Sequence, residues 1–209
     1  MKISSQNWLS SLQKNKLIAV IRSKRKDLSL KMAKAVAEGG VNLIEITWNS
    51  DRASETISQL RNELPSCTIG AGTLLNLDQQ KGAIASGAQF LFTPHTDIAM
   101  IEKAGNIPII PGALSPTEIV TSWNAGASCV KVFPVQAVGG ASYIKSLQAP
   151  LGHIPLIPTG GVTVENAKEF LSAGAIAIGL SSELFPQELV AVEDWEAIAH
   201  RCKTLLQRL

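Results

Sequence analysis

Short apolar runs recur along the chain at intervals of roughly 20 to 25 residues, and helix-like stretches fill the gaps between them. The runs are LIAVIR from Leu17, NLIEIT from Asn42, CTIGAG from Cys67, QFLFTP from Gln89, IPIIPG from Ile107, CVKVFP from Cys129, IPLIPT from Ile154 and AIAIGL from Ala175, eight in all. Intervening patterns such as DLSLKMAKAVAEGG and SPTEIVTSWNAGA open on Asp or Ser as an N-cap and close in glycine. Four of the junctions repeat one phrase, AEGGV, ASGAQ, NAGAS and SAGAI, each a glycine-terminated helix feeding the next strand. The repeating unit is therefore one strand and one helix, which builds parallel strands joined by crossover helices.

Eight such units in 209 residues predict an α/β chain, a single TIM (β/α)8 barrel spanning residues 1–209 at the small end of that fold's range. An extra helix is expected over residues 5–15, before the first strand, and the last helix over residues 190–207. A doubly wound open sheet is the alternative; the absence of GxGxxG after the first run counts mildly against it. No linker or composition break divides the chain.

Hydrophobic residues make up 45% and charged residues 17%, enough apolar material for a sizeable core. A net charge of +2 does not point to nucleic acid, and the densest basic run, SKRK at Ser23 to Lys26, reads as a solvated loop. No apolar run approaches the ~18 residues of a membrane span. Cys67, Cys129 and Cys202 are far apart and odd in number, so neither a metal spacing nor a disulfide framework follows, and Cys129 reads as a small hydrophobe. Without a signal-peptide core at the start, a cytoplasmic protein is the expectation.

In a barrel, chemistry sits at the C-terminal ends of the strands, and alternate residues point inward. Cys129, Lys131 and Phe133 share one face of the sixth run, and Leu43, Glu45 and Thr47 share one face of the second. Lys131 and Glu45 thus become opposite ionisable groups inside one barrel, each alone in an apolar strand. A buried ion pair is one reading, although such a pair is weak evidence for stability. Schiff-base chemistry is the other: a desolvated lysine has a lowered pKa and is nucleophilic. A close ionised Glu45 would oppose that shift, so the glutamate must stand off or carry a proton for part of the cycle, as a general acid/base does.

Other strand ends supply candidate ligands. PTGGVTVEN, from Pro158, ends the seventh run and GLSSELF, from Gly179, the eighth, where barrels of this kind often hold phosphate. Gly160 and Gly161 would let backbone N–H groups approach an anion, a helix starting near Thr163 would aim its N-terminus there, and Ser181 and Ser182 could add donors. Tight turns explain the glycines too. Thr73 could bind a keto or carboxylate oxygen. Pro94, Pro111 and Pro134 read as turn stiffeners. Arg22 is a carboxylate clamp or an ordinary surface arginine, and His95 a loop or cap residue.

In their order, IEIT with Glu45, IGAGT with Thr73, FTPH with Pro94, IPGALSPTE, VKVFP with Lys131, PTGGV and GLSSEL resemble the class I 2-keto-3-deoxy-6-phosphogluconate (KDPG) aldolases. The related 4-hydroxy-2-oxoglutarate (KHG) and 2-dehydro-3-deoxy-6-phosphogalactonate aldolases share the pattern. The resemblance runs from about residue 16 to residue 185. It implies a homotrimeric barrel without metal or cofactor, with Lys131 as the Schiff-base lysine and Glu45 as acid/base. Thr73, Pro94 and Phe133 would line a pyruvyl pocket, and Gly160, Gly161, Ser181 and Ser182 would hold the phosphate. The implied reaction is reversible cleavage of a phosphorylated keto-deoxy sugar acid to pyruvate and glyceraldehyde 3-phosphate. The chain departs from several members at Asn49, where they carry a carboxylate-binding arginine; others use an arginine ending strand one, and Arg22 fits that place. The sugar epimer stays open. So do an oxaloacetate decarboxylase that uses the same lysine and a non-catalytic barrel that binds phosphorylated ligands.

Overall fold

The computed structural model describes residues 5–209. Its strands are β1 (Leu17–Ile21), β2 (Leu43–Thr47), β3 (Thr68–Gly72), β4 (Leu91–Phe92), β5 (Ile109–Ile110), β6 (Gly112–Ala113), β7 (Val130–Val132), β8 (Leu156–Pro158) and β9 (Ile178–Leu180). All pair in parallel, as a six-stranded sheet ordered β5-β4-β3-β2-β1-β9 and a three-stranded sheet ordered β6-β7-β8.

The fifth apolar run appears as two strands because Pro111 lies between β5 and β6 and has no N–H to give a ladder. Its carbonyl still accepts from the Lys131 N–H at 2.9 Å, while Ile110 accepts from Thr93 on the other side at 3.2 Å. At the far edge, Ile176 donates to the Leu156 carbonyl at 3.0 Å, and an isolated parallel bridge joins Thr159 to Gly179.

Helices follow the strands. α1 (Ser5–Asn15) precedes β1, as expected from the sequence; α2 (Lys26–Glu38), α3 (Ala53–Glu63), α4 (Leu77–Ala85) and α5 (Ile98–Lys103) follow β1 to β4. α6 (Pro116–Asn124) and α7 (Ala141–Leu151) flank β7, and α8 (Ala167–Ser172), α9 (Gln187–Ala191) and α10 (Trp195–Arg208) complete the chain. Ser115 caps α6 as its sequence predicts, in a capping box with Glu118, which satisfies otherwise orphaned N–H groups. Asp27 does not cap α2: the helix starts one residue earlier, and Asp27 pairs with Arg25 in solvent. The single helix expected over 190–207 is interrupted. Glu193 takes a left-handed φ of 55°, and Asp194 caps a fresh start by accepting from the Ala197 N–H at 3.0 Å.

Strand alternation separates two cores. Ile44, Ile46, Val130 and Val132 face the helices, whereas Ile18, Leu43, Phe92, Cys129 and Ile157 fill the interior among the strands. Trp8 and Leu12 of α1 pack into that interior from its N-terminal end. The fully buried Trp8 ring stacks on Phe90 with centroids 4.9 Å apart, and its Nε1–H donates to Cys129 Sγ at 3.4 Å. Burial pushes the Cys129 thiol up to about 12, so Cys129 is an inert packing residue. The interior is thus plugged at one end, and only the C-terminal end of the strands is free to carry a site. Among the described residues no helix is long and apolar enough to cross a membrane.

Candidate active site

One step above the Leu43–Cys129 layer, the same alternation points Glu45 and Lys131 inward. Glu45 stands opposite Val20 of β1 and Gly70 of β3; Lys131 stands opposite Gly112 of β6 and Ile157 of β8. Both are buried, Glu45 at 1% and Lys131 at 6% exposure. Phe92 and Phe133 wall the amine, their ring centroids 5.6 and 4.9 Å from Nζ.

The two ionisable groups do not form an ion pair within 4.0 Å, and Glu45 Oε1 has no hydrogen-bond partner among the described residues. Their protonation follows from burial. Desolvation lowers the Lys131 pKa; the Glu45 charge opposes that and the Arg22 charge adds to it. Desolvation raises the Glu45 pKa against the pull of Lys131 and then Arg22. Burial drives both groups towards their neutral forms. Gly72 makes room for the acid: a Cβ there would stand 2.7 Å from Glu45 Cγ and overlap the carboxyl outright.

Glu45 and Lys131 line a cavity of about 300 Å3 together with Arg22, Thr73, Pro94, Phe133, Gly160, Gly161, Ser181 and Ser182, the residues to which the family resemblance gives a role. Arg22, just beyond β1, reaches across to donate from Nη2 to Thr73 Oγ1 at 3.4 Å. Thr73 follows β3 with a left-handed φ of 56°, rare and strained for a β-branched residue, a conformation found mostly where function requires it. Pro94 follows β4, and Phe133 sits at the mouth. His95 lies outside the cavity, with its carbonyl accepting from Thr93 Oγ1, and Asp97 caps α5 in its place. Asn49 is exposed and also lies outside.

At the opposite wall, Gly160 and Gly161 turn with φ of 80° and 98°. A Cβ on Gly160 would press on the Phe133 ring at 3.0 Å, and one on Gly161 would stand 3.0 Å from Gln136 Cγ. Only glycine fits this turn. The helix expected near Thr163 begins at Ala167, after a turn closed by Asn166 Oδ1 accepting from the Thr163 N–H at 2.7 Å. Five residues, 162–166, thus separate Gly161 from the six-residue α8. Ser181 commits its hydroxyl proton to the Val20 carbonyl at 2.9 Å; the Ser182 hydroxyl has no partner among the described residues.

Sequence reasoning missed Thr159 and Gly72. Thr159 lies two residues beyond the inward Ile157, so alternation alone could have placed it in the cavity. A larger groove of about 630 Å3 lies between α7, α8 and α10, but it is an open surface without a buried ionisable group. No three His, Cys, Asp or Glu side chains among the described residues gather as metal ligands would.

A family model described as KDPG and KHG aldolase matches residues 9–201. The chain is 31% identical over 208 residues to the 2-dehydro-3-deoxy-phosphogluconate aldolase of Haemophilus influenzae, covering 99% of this chain and 98% of that one. Among solved structures it resembles a KDPG aldolase from Legionella pneumophila with pyruvate captured as a covalent carbinolamine, with a TM-score of 0.86, 28% identity and coverage of 94% and 97%. It also resembles a native KDPGal structure, with a TM-score of 0.83, 32% identity and coverage of 92% and 94%.

Proposed function

The chain belongs to the KDPG and KHG aldolase family and is a lyase, and from that premise we propose that it cleaves 2-keto-3-deoxy-6-phosphogluconate reversibly to pyruvate and glyceraldehyde 3-phosphate through an imine on Lys131. The observation that carries this reading is the burial of Lys131 at a cavity floor without an ion pair. A structural lysine would need a partner there, whereas a nucleophile must lack one. The carbinolamine captured in the Legionella relative is the species an amine and pyruvate would form.

In the proposed sequence the neutral Lys131 amine attacks C2 of the keto acid, and the carbinolamine hydroxyl takes the proton of the Glu45 carboxylic acid and leaves as water, which gives a protonated imine beside a Glu45 carboxylate. Glu45, as carboxylate, takes the C4 hydroxyl proton. The C3–C4 bond breaks, its electron pair flows to the imine nitrogen, and the aldehyde leaves. Glu45 returns the proton to C3 of the enamine, and water hydrolyses the pyruvyl imine. A carboxyl with a raised pKa suits both halves of that exchange. Arg22, with Thr73, would hold the C1 carboxylate, and Pro94 and Phe133 would bound the pyruvyl group. The Gly160–Gly161 loop, Ser182 and the Ser181 backbone would hold the phosphate.

Continuity through Pro111 and the Thr159–Gly179 bridge support the reading of the described residues as one closed eight-stranded barrel. The homotrimer and the cofactor-free reaction are inferred from the family resemblance.

The test is borohydride reduction with pyruvate, read by peptide mass. A reduced pyruvyl adduct on Lys131, absent in Lys131→Ala, is expected; an adduct elsewhere, or none, overturns the reading. Rates with the gluconate and galactonate epimers, hydroxyoxoglutarate and oxaloacetate then fix the substrate.

A further inference from the structure

A second cavity, of about 360 Å3, lies against the candidate active site and shares Arg22, Ser181 and Ser182 with it. Its floor is apolar, built from Leu28 and Met32 of α2, Phe185, and Val190 of α9, with Ser23 and Gln187 at the rim. The partition is light. Arg22 is exposed and held by one long hydrogen bond to Thr73, and the Ser182 hydroxyl is unengaged among the described residues. None of the five residues of α9 is fully buried, and Val190 is half-buried where it packs on the core beside the cavity.

We propose that this side cavity receives the apolar tail of acceptor aldehydes longer than the three-carbon one; the proposal rests on the aldolase reading. In that reading a three-carbon acceptor ends at Ser181 and Ser182, so a longer chain passes directly over the partition. The head of the molecule stays at Lys131. Enamine C3 forms the bond to the aldehyde carbon, the aldehyde oxygen takes its proton from Glu45, and water releases the keto acid from the imine. Apolar contact with Leu28, Met32, Phe185 and Val190 then favours an alkyl tail over a short acceptor.

The experiment is aldol addition of pyruvate to propanal, hexanal and glyceraldehyde 3-phosphate by the full chain, with Val190→Trp and Leu28→Phe as cavity-filling variants. Val190 is only half-buried and borders an open cavity that can take the larger ring, so its variant is expected to fold. Hexanal is expected to exceed propanal in kcat/KM by at least about tenfold, the factor that burying a few methylenes gives. Each variant is expected to erase most of that preference while leaving propanal and glyceraldehyde 3-phosphate within about twofold. Equal rates for hexanal and propanal, or a preference that survives both variants, overturn the side cavity. A trapped pyruvyl adduct on Lys131 without a hexanal preference removes the tail site alone. Absence of the adduct removes the aldolase reading and the tail site together.

Discussion

Gly72→Ala isolates the placement of Glu45 from its chemistry. The substitution adds one methyl group at the end of β3, at a position where any residue can adopt the backbone. The new Cβ would stand 2.7 Å from Glu45 Cγ and overlap the carboxyl, so the acid must retreat by more than about 1 Å from its present place. A displacement of about 1 Å in a reacting group costs on the order of 100-fold, or about 2.7 kcal/mol of activation free energy. The general acid/base contribution at stake is itself about 100- to 10,000-fold. Overpacking should cost about 1–3 kcal/mol of stability as well, so folding must be checked by a thermal melt. The assay is exchange of the pyruvate methyl protons with deuterium by NMR, which reads proton transfer at C3, run beside borohydride trapping, which reads the imine. The expected outcome is a retained adduct with exchange slowed at least about 100-fold, close to the loss in Glu45→Gln. A folded Gly72→Ala protein that exchanges within about threefold of wild type would show that the position of Glu45 does not govern the reaction.

Three further outcomes follow from the same geometry. Glu45 keeps its proton in the folded state above the ordinary value of 4.5 while the unfolded chain has released it, so its contribution to stability falls as pH rises from 4.5 towards the folded value. Melting temperatures should therefore show Glu45→Gln gaining on wild type as the pH rises above 4.5; a constant gap would refute the raised pKa. Gly161→Ala forces a left-handed backbone on alanine and sets its Cβ against Gln136, so KM for phosphorylated substrate should rise at least about tenfold while the pyruvate adduct persists. Trp8→Ala empties the N-terminal end of the interior and should cost about 3–5 kcal/mol, a fall in Tm of roughly 10 °C by calorimetry, with the Lys131 adduct still forming in the folded fraction.

Much of the site was legible because its signal is local. A lysine and a glutamate, each on the inward parity of an apolar strand, are visible wherever residues are read two at a time, and Leu43 and Cys129 below them mark the same face. Arg22, Thr73 and Ser181 were legible as strand-end residues. What they bond to was not, because Arg22 meets Thr73 and Ser181 meets Val20 across strands far apart in the chain. Helix boundaries failed for a related reason. At α8 the side chain of Asn166 captures the Thr163 N–H in a turn, and at Asp194 a new cap interrupts an otherwise continuous apolar pattern.

The sequence alone determined the alternation of strand and helix, the parallel pairing that such units impose, and which side chains share a face of each strand, since these follow from periods of two or 3.6 residues and from the crossover connection. The tertiary structure decided what those inward groups are chemically. Lys131 and Glu45 come together from strands 86 positions apart by their numbers. Whether they pair or stand off depends on a glycine on a third strand and on two aromatic rings. Protonation state follows burial and distance, and neither is written in the order of residues.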